Sequence, residues 1–291
     1  MGWKRSEPVT AAKEKKKIMV SRCTRNLTRW TAAVLALQSL GGAVIPGLYR
    51  DNAWVVSTFR GTDLNALVLD VPVLLAALAW ASRGSARGWV VWLGTLYYIF
   101  YNNLYFLLGT AFNPFFLVYV AITILSAFAL VAALIETPAA LVDAAGRRIP
   151  RTAIASILLS CAFVLAVMWV GQSLAYVVTG TVPQIIADTG GITHVVAALD
   201  LTAIVPLLMF GAIRLWGFRP WGFVVSAAML VQGVLITLDL LVSAPFQAAA
   251  GIRGAWTMTP LWAVMLAAFG SGAALAIRAA SGTTMKCAKT R

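Results

Sequence analysis

HVVAALDLTAIVPLLMFGAIR, residues 194–214, carries one acidic residue, Asp200, in a run otherwise apolar until its terminal Arg214. At 1.5 Å per residue, a helix of this length crosses a hydrocarbon core about 30 Å thick. Seven further windows read the same way: 30–49, 63–82, 89–110, 114–135, 153–177, 220–243 and 259–278. The chain is 60% hydrophobic and 11% charged over 291 residues, with a mean hydropathy of +0.84. That balance lies far from soluble averages. The fold class expected is an all-α polytopic membrane protein with eight transmembrane helices.

The net charge of +13 has to be placed before it is interpreted. With the N-terminus cytoplasmic, Arg50, Arg60 and Arg253 fall on the outer side, and the rest of the 23 Lys and Arg residues fall inside. Basic residues are retained in cytoplasmic segments, so the charge is a topology signal and not a nucleic-acid footprint. Both termini are then cytoplasmic, as expected of a bacterial cytoplasmic membrane protein. The stretch KRSEPVTAAKEKKK, residues 4–17, belongs to a basic tail suited to water or anionic headgroups. It is long for the charged region of a signal peptide, so 30–49 is read as a retained span.

An ordered set of matches divides the chain in two. Gln38-Ser39-Leu40, Leu69-Asp70, Arg87-Gly88-Trp89 with Val90-Val91, and Asn113-Pro114 appear in the first half. Gln172-Ser173-Leu174, Leu199-Asp200, Arg219-Pro220-Trp221 with Val224-Val225, and Thr259-Pro260 follow in the same order in the second. The organisation expected is a basic tail over 1–29, a four-helix repeat over 30–136, a cytoplasmic linker over 137–152, a second repeat over 153–278 and a tail over 279–291. An even number of spans gives both copies one orientation, related by an axis along the membrane normal.

The polar residues within spans are the functional candidates, because a carboxylate in hydrocarbon costs several kcal/mol and must face the bundle interior or water. Asp70 lies about 10 Å below the outer boundary if its span begins at residue 63. Asp200 matches it one repeat later, and Asp239 lies about a turn from the outer end of its span. Asn102, Asn103 and Tyr105, in the run YYIFYNNLYF (97–106), fall at the same level. These residues line the expected polar cavity, open to the outer face, with Asp70 and Asp200 as its quasi-symmetric walls. The alternative is helix-to-helix hydrogen bonding.

His194, the single histidine, begins its span. Six residues separate it from Asp200, which puts the two about 120° apart around a helix, so they do not form a pair on one face. Gln38 and Gln172 are a second repeat-related pair, suited to joining helices or binding. Pro72 and Pro206 follow the two aspartates and kink or free backbone carbonyls.

One histidine and separated cysteines, Cys23, Cys161 and Cys287, argue against zinc, haem and iron–sulfur sites and against disulfide chemistry. No phosphate loop, dinucleotide fingerprint or nucleophile elbow is present; the expectation is no metal and no cofactor. Three readings stand on these residues. One is a transporter or permease; another is a non-transporting subunit or a module binding a lipid or small amphiphile, with a protein partner open. The third is an intramembrane enzyme on a lipid-linked substrate, which lacks a nucleophile or metal set. Beyond the bilayer, the partner expected is a small-molecule or amphiphilic ligand.

Overall fold

The structure is a computed structural model and describes residues 20–146 and 149–281. Most of the basic tail, Arg147, Arg148, and the C-terminal segment with Cys287 lie outside the described residues. Within them the chain is helical, without strands. Eight long helices are α1 (Arg22–Val44), α2 (Ala53–Ser82), α3 (Ala86–Gly109), α4 (Phe116–Ile135), α6 (Arg151–Thr179), α8 (Val195–Trp216), α9 (Gly222–Ala249) and α10 (Thr259–Ala280). Short helices among the described residues are α5 (Ala139–Val142), followed by a 3-10 turn over Asp143–Gly146, and α7 (Gln184–Thr189) in the connection before α8.

Local chemistry sets most of these boundaries. Ser21, Asn52 and Ser85 accept the backbone N–H groups of Thr24, Val55 and Gly88 and so cap α1, α2 and α3. Pro260 stands in the first turn of α10, where its missing N–H costs nothing. Gly180 and Gly190 end α6 and α7 in the left-handed conformation that glycine adopts without a Cβ penalty. Glu136 accepts from the Thr24 hydroxyl at 2.6 Å and from the Ser21 N–H at 3.1 Å, tying the start of α1 to the end of α4.

Six helices, α2, α4, α6, α8, α9 and α10, are long and apolar enough to cross a membrane. Side chains such as Leu117, Ile135, Val177 and Val178 stand at least 74% exposed along them, a surface that lipid covers and water would not tolerate. The remaining two long helices fall outside that group for a physical reason. Helix α3 buries Trp89, Trp92, Tyr98 and Asn103 in protein, so its composition reflects helix neighbours and not lipid. Helix α1 carries Thr24, Thr28, Thr31, Gln38 and Ser39 on its buried side.

Two boundaries correct the sequence reading. The first helix begins at Arg22, not 30, and the region expected as a connection over 50–62 is helical from Ala53. A 30-residue α2 is about 45 Å long, more than a hydrocarbon core. Residue 63 is therefore inside a helix and not at its mouth.

Helices α3 and α9 pack together at the centre. Helix α2 packs on both, α1 on α2 and α4, α6 on α8 and α10, and α8 and α10 on α9. The hairpins are tight where a side chain is missing. A Cβ on Gly88 would overlap the Trp80 and Ala81 backbone, and one on Gly222 would overlap that of Arg214 and Leu215. Gly94 makes the same close approach to the Ala228 carbonyl at the α3–α9 crossing.

Candidate functional site

The α-helical ladder widens in two places, each just before a proline. In α2 the Val71 N–H reaches back five residues to the Ala66 carbonyl, and in α8 the Val205 N–H reaches Asp200 in the same way. Pro72 and Pro206 follow, and since neither has an N–H to donate, the π turn absorbs the interruption without ending the helix. The two turns, and the two prolines, stand 134 residues apart.

That spacing changes how the aspartates correspond. At 134 residues Asp70 matches Ile204, and Asp200 matches Ala66. One carboxylate closes its π turn and the other opens its own, about one helical turn apart. On that spacing the quasi-symmetric pairing of Asp70 with Asp200, drawn from the shared Leu-Asp dipeptide, is offset by four residues.

The structure also gives the two residues different partners. Asp200, 7% exposed, accepts from the Tyr101 hydroxyl of α3 at 2.6 Å and from the Trp169 indole N–H of α6 at 2.7 Å. Both its oxygens are satisfied. His194 packs edge-on to Trp169, with centroids 4.7 Å apart, and its Nδ1 accepts the Ala197 N–H to cap α8. Its contact is with the indole and its own backbone, in keeping with the helical spacing that separates it from Asp200.

Asp70, 1% exposed, belongs to another set. Its oxygens take the Asn65 amide N–H at 3.3 Å, and Tyr98 of α3 turns its hydroxyl toward the pair. Asp239 of α9, 4% exposed, accepts from Thr62 at 3.1 Å through one oxygen and leaves the other without a donor. It lies within the electrostatic reach of both Asp70 and Asp63. Asp63, 1% exposed, accepts from the Tyr49 hydroxyl at 2.7 Å and also leaves one oxygen unpartnered. No Lys, Arg or His is among the donors of these three acids.

The two acids therefore have separate partner sets, both reached from α3. Tyr98 faces one and Tyr101 the other. Two cavities lie elsewhere: one of about 280 Å³ between Trp80, Arg87 and Ser281, and one of about 470 Å³ beside Arg50, Phe112 and Leu117.

The other sequence candidates divide similarly. Gln38 is buried with its carbonyl oxygen unpartnered, whereas Gln172 on α6 is half-buried, so the two glutamines do not share an environment. Asn102 and Asn103 are buried; Asn103 donates to the Ile99 carbonyl one turn back in its own helix. Tyr105 packs its edge on Phe59 at 5.7 Å, in an apolar cluster with Tyr49, Phe106 and Tyr119.

Asp63, Thr62, Asn65 and Trp169 escaped the sequence reading, whereas Tyr101 belongs to the tyrosine run expected at the level of the acids. The start of α2 was signalled by Asn52 before AWVVSTF, an N-cap ahead of an apolar run, and that start would have placed Asp63 inside the helix. Nothing local marks Trp169 as a partner of Asp200. Outside the spans, Asp51 accepts the Ala111 N–H at 2.8 Å. Burial pushes its carboxyl above the usual range, opposed by backbone N–H donors.

No family model, curated protein or solved structure matches the chain.

Proposed function

We propose that this membrane protein is a carrier for a small-molecule or amphiphilic solute, with eight spans arranged as two four-helix repeats of one orientation and both termini cytoplasmic. The observation that carries the reading is the matched pair of π turns before Pro72 and Pro206. Helices interrupted within the membrane supply the bending points and free backbone groups from which carriers are built.

The repeat is supported by further features at the same 134-residue spacing: Gln38 and Gln172, Val90-Val91 and Val224-Val225, and the tight glycines Gly88 and Gly222. Gly94 and Ala228 share that spacing and meet at the α3–α9 crossing, where a two-fold axis along the membrane normal would run. Eight spans follow from adding α1 and α3, whose polar residues are covered by protein, to the six apolar helices.

The test is current or tracer flux from the full chain in liposomes under gradients of a panel of small ionic and amphiphilic solutes. Hydrogen exchange across α2 and α8 is measured in parallel. Flux lowered by Pro72→Ala with Pro206→Ala, and faster exchange at both π turns than in their flanks, is the expected result. Silence across the panel together with uniform protection through both turns would overturn the carrier reading. One observation favours a non-transporting module instead: Asp200 is fully satisfied by Tyr101 and Trp169, as a purely structural acid would be. A stoichiometric protein partner without flux is the signature of that reading.

A further inference from the structure

We propose that the C-terminal turns of α6, from Val170 to Thr179, are the contact surface for a second copy of this chain, with Gln172 paired to its own counterpart across a two-fold axis. The inference goes beyond the carrier reading and needs no solute to move.

Helix α6 buries one stripe, Leu158, Ala162, Leu165 and Trp169, against its neighbours. At 100° per residue the same stripe continues through Gln172, Tyr176 and Thr179, with Ala175 beside it. The packing does not continue with it. From Val170 to Thr179 every residue is exposed except the half-buried Gln172. The opposite face of these turns carries Val170, Leu174, Val177 and Val178, which suit lipid. The bare stripe, with an amide and two hydroxyls, does not.

A second observation comes from α1. At the 134-residue spacing, Gln38, Gly41 and Gly42 match Gln172, Ala175 and Tyr176. In α1 that face is sealed: Gln38 is 1% exposed, the Phe115 ring lies against Gly41, and Tyr49 and Asp63 lie against Gly42. The second half supplies less cover. Helix α2, which packs on α1, begins at Ala53. At the matched spacing that start falls on Ala187, but α8 begins only at Val195, so about 12 Å of helix has no counterpart. This comparison rests on the repeat proposed above; the exposure of α6 does not.

The chemistry of the stripe selects its occupant. The Ser173 and Thr179 hydroxyls donate to the Trp169 and Ala175 carbonyls of their own helix, at 3.0 and 2.8 Å, whereas no described residue gives the Gln172 amide a partner. Amides within a membrane join helices. A primary amide carries donors and an acceptor together, so one Gln172 satisfies another, while an unrelated helix would need a matching group at the same level. Two copies insert in one orientation, and about a two-fold axis along the membrane normal each residue of the stripe meets itself at its own depth. Ala175 and Gly171, where a Cβ would touch nothing within 4 Å, let the two backbones approach. One such contact covers both bare helices.

Two measurements on the full chain in lipid vesicles decide the matter. Single-molecule photobleaching at increasing dilution in lipid counts the copies. Oxidative cross-linking maps the face, comparing Ala175→Cys and Thr179→Cys with Leu174→Cys and Val178→Cys in a chain whose own cysteines are replaced by alanine. Two bleaching steps are expected, with disulfide dimers from Ala175→Cys and Thr179→Cys but not from the other pair, and dimerisation weakened about tenfold by Gln172→Leu. These side chains are not buried, so the variants keep their fold, which circular dichroism melting checks. One step at every dilution, dimers linked through Leu174→Cys or Val178→Cys instead, or unchanged association in folded Gln172→Leu overturns the proposal. A stoichiometric chain of another kind cross-linked to Ala175→Cys overturns it too. Dimers without flux would leave this contact standing and refute only the carrier reading; flux from single copies would do the reverse.

Discussion

Replacing Tyr101 by Phe removes a single hydroxyl, 2.6 Å from one oxygen of Asp200, and leaves a buried acceptor without its donor. In a soluble protein a stranded group of this kind costs about 1–3 kcal/mol. Inside membranes, double-mutant cycles average about 0.6 and reach about 1.7 kcal/mol, because the unfolded chain in detergent or lipid also finds partners. The acceptor here is a carboxylate held by two short bonds, so the upper end, about 1.7 kcal/mol, is expected. Reversible unfolding in mixed micelles measures it. Asp200→Leu supplies the cycle by removing both acceptor oxygens at similar volume. In that background Tyr101→Phe should cost close to nothing. Trp169→Phe should behave alike, and the two donor deletions together should cost less than their separate effects added, since both act on one carboxyl. An equal penalty for Tyr101→Phe with and without Asp200 would refute the hydrogen-bonding argument and assign the effect to packing.

Three other perturbations probe different parts of the frame. Gly88→Ala and Gly222→Ala each push a methyl into hairpin backbone and should destabilise by about 1–3 kcal/mol; Gly171→Ala and Gly270→Ala, with open space beside them, should not, and melting curves separate the classes. His194→Ala removes the cap on α8 and should cost about 1 kcal/mol, whereas His194→Asn retains an acceptor and should recover most of it in the same melts. Asp51 has a carboxyl raised by burial, so its ionised form is disfavoured in the folded state. Its penalty is present above the folded value and vanishes as pH falls through that value to the unfolded one near 3.8. Asp51→Asn should therefore raise stability at neutral pH, with the gain disappearing in acid; a gain independent of pH in unfolding titrations would contradict the assignment.

Much of the architecture was legible because lipid imposes a simple rule on sequence. Windows of apolar residues mark helices wherever the bilayer is the neighbour, and each of the eight windows falls largely within a long helix. The rule weakens where protein is the neighbour. Helix α3 carries tyrosines, tryptophans and asparagines because it faces other helices, and the start of α2 was lost because TFRGTD reads as polar loop while forming helix. The acids were individually visible, since charge in an apolar run is conspicuous. Their grouping was not. A Leu-Asp dipeptide suggested that Asp70 and Asp200 correspond, whereas the π turns and prolines of their helices stand 134 residues apart and the aspartates 130. Trp169 and Tyr101 reach Asp200 across 31 and 99 residues of sequence, and no local periodicity encodes such meetings.

Tyr98 and Tyr101 give α3 a mechanical character. They stand about 60° apart around one helix and about 4.5 Å along it, one hydroxyl engaged with Asp200 and the other facing Asp70. A rigid rod cannot turn one without turning the other. Any roll of α3 that moves the Tyr98 hydroxyl relative to its acid must also drag on the Tyr101 anchor, so the two carboxyl sets share a lever even though they share no bond.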